Sequence, residues 1–281
     1  MVSRLNLGCG LRFHPDWTNL DVVSHHPSVR AHNVCESIPF DEASFDVVYH
    51  SHLLEHLTRT QADAFLRECR RVLKPGGTLR VVVPDLEQIA RLYLKALEAA
   101  QDGNGAWDAH YEWMMLELLD QTVRSQSGGE MACYLLQKDV PNRDFILQRL
   151  GAEARRFFDV RESSTAGATT SVRTPTLDRA KRLAVRAARL PREWIVRWLL
   201  GSDYAALQLG RFRRQGEIHQ WMYDRHSLAK LLRECGFENP VVRTPTASAV
   251  PGWSHFCLDT EPDGTIYKPD SLYMEAGRPC G

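Results

Sequence analysis

The sequence has no excess charge of either sign: Lys+Arg and Asp+Glu stand at 35 each over 281 residues. A balanced chain is not built for general capture of nucleic acid or of an anionic membrane surface. No apolar run approaches the ~18 residues that span a bilayer. Paired cysteines are missing too. The seven Cys residues are scattered, odd in number and never in C-x-x-C spacing. That argues against a disulfide framework or a structural zinc site and for a reducing compartment. Met1-Val2-Ser3-Arg4 leads into a strand-like segment without the apolar stretch of a secretory leader, so a cytoplasmic protein is expected. Neither an internal repeat nor a coiled-coil heptad is visible. What is present is 43% hydrophobic residues, enough to bury a core in one large domain or a core with an insertion.

Along the chain, Arg4 to Leu7 reads as a short strand ending at Gly8-Cys9-Gly10. Trp17 to Val23 and Phe45 to His50 read as further strands. Thr60 to Leu73 carries apolar residues at helical spacing and is stopped by Lys74-Pro75-Gly76-Gly77, because proline cannot continue a helix and glycine supplies the turn. Thr78 to Val83 is then a β-branched run. Strand, turn, helix, glycine stop and strand form the βαβ signature of a parallel sheet. Residues 86–218 read differently, as mostly helical, with Trp107 to Gln137 the clearest segment. Arg161 to Thr176, rich in Ser, Thr, Ala and Gly, is expected as a mobile loop, and Asp178 to Leu200 as an Arg-rich amphipathic helix. Asp224 to Cys235 reads as a helix ended by Gly236, with Val241-Val242 and Ser271 to Glu275 as the last strands. Three regions are therefore expected: a core over 1–85, a helical insertion over 86–218, and the rest of the core over 219–281.

Three motifs carry chemistry. Gly8 and Gly10 follow a strand, where a missing Cβ lets a ligand approach the backbone. Asp21 ends the next strand, where a carboxylate can accept hydrogen bonds from ribose hydroxyls. His50-Ser51-His52-Leu53-Leu54-Glu55-His56 lies at the carboxyl end of the third strand, where ligands bind in open α/β sheets. If residues 52–57 begin a helix, His52, Glu55 and His56 share one face and form a candidate catalytic or metal cluster. The plain alternatives are an ordinary turn, a turn-forming acid and satisfied core histidines.

LNLGCG, WTNLD, IPFDEASFDVV, SHLLEHL and RECRRVLKPGGTLRVVVPD follow one another in the order and spacing of class I S-adenosylmethionine (SAM) dependent methyltransferases, and resemble most the methyltransferase-11 type. The resemblance covers residues 4–85 and resumes at HQWMYDRHSLAKLLRECGF and SLYMEA. It implies a doubly wound, Rossmann-like, mostly parallel sheet with an antiparallel last strand, here with a large helical insertion. It places SAM across Gly8, Cys9, Gly10, Asp21, Asn33, Val34 and His50. Asn33 stands where the family often has Asp, and the links from Gly10 to Asp21 and from Asp21 to Asn33 are short for parallel crossovers. Some members with E-x-x-E-H at the SHLLEHL position and a later histidine bind a divalent metal. By that resemblance His52, Glu55, His56 and His219 are candidate ligands for Mg or Mn, and imidazoles favour Mn, Fe or Zn over Mg.

An alcohol acceptor needs a base, and histidine suits neutral pH, so His52 and His219 are the candidate catalytic residues. The expected acceptor is a hydroxyl of a sugar or glycan. O- or N-methylation of a small natural product and a non-catalytic SAM-binding regulator are the alternatives. Neither nucleic acid nor membrane is an expected partner, and a homodimer is left open. The basic stretch Arg179 to Arg197 reads as a solvated helix face. With the first strand at about residue 4, the cover over the cofactor is expected from residues 86–218.

Overall fold

The computed structural model describes residues 2–165 and 193–280. Its centre is a seven-stranded sheet. The first four strands are β1 (Arg4–Leu7), β2 (Thr18–Asp21), β3 (Val29–Ala31) and β4 (Phe45–Ser51). Helix α1 (Arg59–Val72) then leads directly into β5 (Leu73–Pro84). Helices α2 (Leu86–Gln101), α3 (Asp108–Val123), α4 (Gly129–Leu135), α5 (Arg143–Leu150), α6 (Ala152–Thr165) and α7 (Asp203–Arg213) follow. The chain returns through α8 (Arg225–Glu234), β6 (Glu238–Arg243) and β7 (Ser271–Gly277). The strand order is β3-β2-β1-β4-β5-β7-β6, with β7 antiparallel to both neighbours and the remaining pairs parallel. This is the Rossmann-like sheet with a reversed last strand that the sequence predicts.

The central strands are buried on both faces, and alternate side chains enter two different layers. Leu79, Val81 and Val83 of β5 join Leu5, Leu7, Val48, Leu272 and Met274 in a core closed by α1 and α8. Helix α1 forms because Ala62, Phe65, Leu66, Cys69 and Val72 recur on one face. Thr58 caps it, accepting the Gln61 N–H while the Gln61 side chain accepts the Thr58 N–H. The opposite face is covered by the coil between β6 and β7. Val250, Trp253, Phe256 and Leu258 pack there on Trp17, Val47, Tyr49, Val82 and Tyr273. Residues 8–17 and 22–28 join parallel strands through turns alone, below the dozen or so residues of an ordinary crossover. The long coil fills the layer that crossover helices would occupy.

Buried Arg80 fastens that coil. Its guanidinium donates to Asp259 Oδ2 at 2.7 and 2.9 Å, to Glu275 Oε1 at 2.9 Å and to the Thr244 and Ala247 carbonyls. The Tyr49 hydroxyl completes the group by donating to Asp259 Oδ1 at 2.6 Å.

Helices α2 to α6 enclose a second core around Ile89, Trp113, Met114, Ile146 and Phe158. The long helix expected over Trp107 to Gln137 is two helices, α3 and α4. Gly128 and Gly129 take φ of +77° and +56° between them, a region that costs other residues energy. The Asp120 carboxylate also occupies the space a Gly129 side chain would need. Of the loop expected over Arg161 to Thr176, the first part continues α6 to Thr165, and residues 166–176 lie outside the described residues. Of the basic helix expected over Asp178 to Leu200, residues 193–200 are helical and the rest also lies outside. Among the described residues no helix is long and apolar enough to cross a membrane. All seven cysteines are free.

Candidate active site

A cavity of about 1270 Å³ runs along the carboxyl ends of the central strands. Gly8 follows β1, Asp21 ends β2, Asn33 and Val34 follow β3, and His52 and Leu53 follow β4; all line the cavity, as do His56, His219 and Trp221. Gly8 has φ +63° and faces the Leu53 side chain so closely that a Cβ there would collide with it. Gly10 has φ +51° and meets nothing on the side where a Cβ would stand. Asp21 ties the turn to β2: Oδ2 accepts the Gly10 N–H at 2.8 Å and Oδ1 the Val23 N–H at 3.2 Å. Each carboxylate oxygen keeps further lone-pair capacity for a ligand hydroxyl. The Asn33 oxygen accepts the Cys35 N–H at 3.1 Å, as turn formers do.

Three predicted cofactor residues, Cys9, Gly10 and His50, are not among those lining this cavity. Cys9 is buried and lines a smaller neighbouring cavity, and burial with nearby Asp21 pushes its thiol up to about 12. His50 lines neither cavity. Its ring packs 5.1 Å from the Phe65 ring, neither ring nitrogen has a partner, and burial lowers its pKa to about 4.

The segment after β4 does not start an α-helix. His52 sits at φ +49°, and a single 3-10 turn spans Leu54–His56. The expected one-face array of His52, Glu55 and His56 therefore gives way to two arrangements around Glu55. On one side His52 Nδ1 lies 3.2 Å from Glu55 Oε1, while its Nε2 shares a hydrogen bond with Ser271 Oγ at 2.9 Å. On the other side Glu55, His56 and His219 bring one ligand atom each within 4.8 Å of one another. The His56 and His219 rings meet edge to face at 4.8 Å. The Glu55 carbonyl accepts the Gln220 and Trp221 N–H groups at 2.7 and 3.2 Å, which fixes His219 beside the turn.

Glu55 is fully buried; Oε2 has no hydrogen-bond partner, and Oε1 faces only the His52 ring nitrogen at 3.2 Å. Burial alone would raise its pKa, but His52, His56 and His219 outweigh it and pull it down to about 2. Burial lowers His219 to about 3 despite Glu55, and its Nδ1 has no partner. Near neutral pH the trio thus presents an ionised carboxylate beside a neutral imidazole, the protonation states that bind metals. Ser271 was not visible as a histidine partner in the sequence. Ser271 opens β7, far from β4 in the chain, and nothing in its own neighbourhood marks it.

Sheet, glycine turn and strand-end cavity together form a Rossmann-like core with a cavity where open α/β sheets bind ligands. Residues 17–81 match the family model described as a methyltransferase domain. That match supports a SAM-dependent methyltransferase domain within the chain. Among solved structures, a SAM-dependent methyltransferase of Thermotoga maritima, described as a possible histamine N-methyltransferase, is 10% identical. It pairs 99% of this chain with 83% of its own at a TM-score of 0.39. The YcgJ protein of Bacillus subtilis is 22% identical over 33% of this chain and 53% of its own, at a TM-score of 0.26. The 1,6-didemethyltoxoflavin-N1-methyltransferase of Burkholderia thailandensis, solved with S-adenosylhomocysteine, is 23% identical over 30% and 45%, at 0.25. No argument rests on likenesses this distant. None of the curated proteins matches the sequence.

Proposed function

We propose that the enzyme methylates a hydroxyl of a sugar or glycan, with a divalent cation held by Glu55, His56 and His219 and with His52 as the base. The observation that carries this reading is Glu55: a fully buried, ionised carboxylate whose polar side-chain neighbours are the imidazoles of His52, His56 and His219. Such a charge is costly unless paired or bound to a cation. Two imidazoles and a carboxylate suit Mn, Fe or Zn better than Mg. When bound, the cation lowers the pKa of an acceptor hydroxyl and orients it.

The chain's own residues supply the rest. Gly8 and Asp21 hold the cofactor's backbone-facing and ribose sides, and Asn33 and Val34 border its adenine. The cavity exceeds the roughly 300–1,000 Å³ of a typical single-ligand site, so space for an acceptor is left beside His219 and Trp221. Trp221 is 43% exposed and stacked by Arg59 at 5.0 Å, an open aromatic face for a sugar ring. His52 Nε2, now shared with Ser271, takes the hydroxyl proton, and Glu55 at 3.2 Å from Nδ1 stabilises the resulting imidazolium.

Transfer of labelled methyl from SAM to a panel of glycosides tests the reading. His52→Ala is expected to lower kcat at least a hundredfold while changing S-adenosylhomocysteine affinity less than threefold, the split of a group acting on the acceptor. Chelation is expected to abolish turnover and Mn to restore it. Turnover unchanged in the variant and in chelator contradicts both roles.

A further inference from the structure

The cofactor's methionyl arm ends in a carboxylate. After a glycine turn, a helix usually meets such an anion with free N–H groups and the positive end of its dipole. Here residues 11–17 form turns and lead straight to β2. The Gly10 N–H is spent on Asp21, and the Cys9 N–H on the Leu20 carbonyl.

A second cavity of about 260 Å³ opens beside this turn. Gly8 and His52 line both cavities, so the two meet at the point where the cofactor's arm must leave the first. The lining of the second cavity includes Arg12 of that turn and, from elsewhere in the chain, Arg156, Tyr267 and Lys268. Arg12 is fully engaged: it donates to the Leu258, Cys257 and Thr260 carbonyls and to Glu261, and lies 3.9 Å over the Tyr267 ring. Arg156 shares the same Glu261 oxygen at 2.8 Å. Lys268 makes one ion pair, with Glu153 at 3.1 Å, leaving donors of its three-proton ammonium for a ligand. Burial would lower its pKa, but Glu153 and Asp270 more than offset this and keep it charged.

We propose that Lys268, with Arg156 beside it, binds the carboxylate of the cofactor's methionyl arm, doing from the β6–β7 coil what a helix N-terminus does after other glycine turns. This rests on the larger cavity holding the adenosine half of SAM. Two ligands separate the claims: S-adenosylhomocysteine, and 5′-methylthioadenosine, which lacks the amino-acid arm. Calorimetry on the wild type is expected to show both binding, with S-adenosylhomocysteine tighter.

Lys268→Met should weaken S-adenosylhomocysteine about tenfold or more, the scale of one charge-assisted hydrogen bond, and change methylthioadenosine less than twofold. Lys268→Arg should keep most of the affinity. Glu153→Gln breaks the ion pair but keeps the ammonium, and should not weaken S-adenosylhomocysteine. Equal losses for both ligands in Lys268→Met, no loss for either, or the same loss in Glu153→Gln would overturn the assignment. Failure of the wild type to bind methylthioadenosine would instead overturn the adenosine reading on which it rests.

Discussion

Glu55 distinguishes a metal site from a packed polar cluster, because the two make opposite predictions for one substitution. A buried carboxylate that belongs to a hydrogen-bonded structural network is stabilising, and its removal costs energy. Here the only donor near the carboxylate is the His52 ring nitrogen at 3.2 Å from Oε1, so much of the buried charge burdens the metal-free fold. Glu55→Gln is therefore expected to raise the melting temperature in chelator by several degrees and to lose the Mn-induced stabilisation shown by the wild type. Differential scanning calorimetry with and without Mn reads both effects. A lower melting temperature in chelator would make Glu55 a structural residue. The residue scale also shows what the motif alone hides. SHLLEHL suggests three groups on one helix face, but His52 lies at φ +49° and the chain makes only a 3-10 turn. The cluster is completed instead by His219, held near Glu55 by backbone hydrogen bonds from Gln220 and Trp221. The sequence names the members of this group because reactive side chains are few and distinctive. Their division into a His52–Glu55 pair and a Glu55–His56–His219 trio depends on φ angles and tertiary contacts that no local pattern encodes.

At the scale of elements, legibility followed apolar pattern. α1 is readable because its buried residues repeat every three to four, and β1, β4 and β5 because they are short, nearly continuous apolar runs buried on both faces. β3 has three residues with one buried and carries no such signal. The coil over residues 244–270 has no period either, yet it forms the second layer over the sheet. Its anchor, Arg80, is a lone charge in a valine-rich strand and pairs with Asp259 and Glu275, which lie far along the chain. Removing one partner of a buried ion network leaves the others uncompensated. Arg80→Ala is expected to cost about 3–5 kcal/mol, with early loss of the coil, seen as proteolytic nicking near Trp253. A loss below about 1 kcal/mol, the worth of an exposed pair, would mean the coil is held by its aromatic packing alone.

At the scale of the whole molecule, the strand order puts four chain segments, distant in sequence, at one edge of the sheet. Gly8, Asp21, Asn33 and His52 end or follow β1, β2, β3 and β4, and all face one cavity. The strand-end positions were readable because parallel strands align their carboxyl ends. The cationic wall at Lys268 was not, since it joins the site only through the tertiary fold. The account depends on SAM lying along this edge with its ribose on Asp21. Calorimetry of S-adenosylhomocysteine binding to the wild type and to Asp21→Ala measures that most directly. The account predicts micromolar binding to the wild type and at least a tenfold loss, about 1.4 kcal/mol, in the variant. Equal affinities in the two proteins would contradict it.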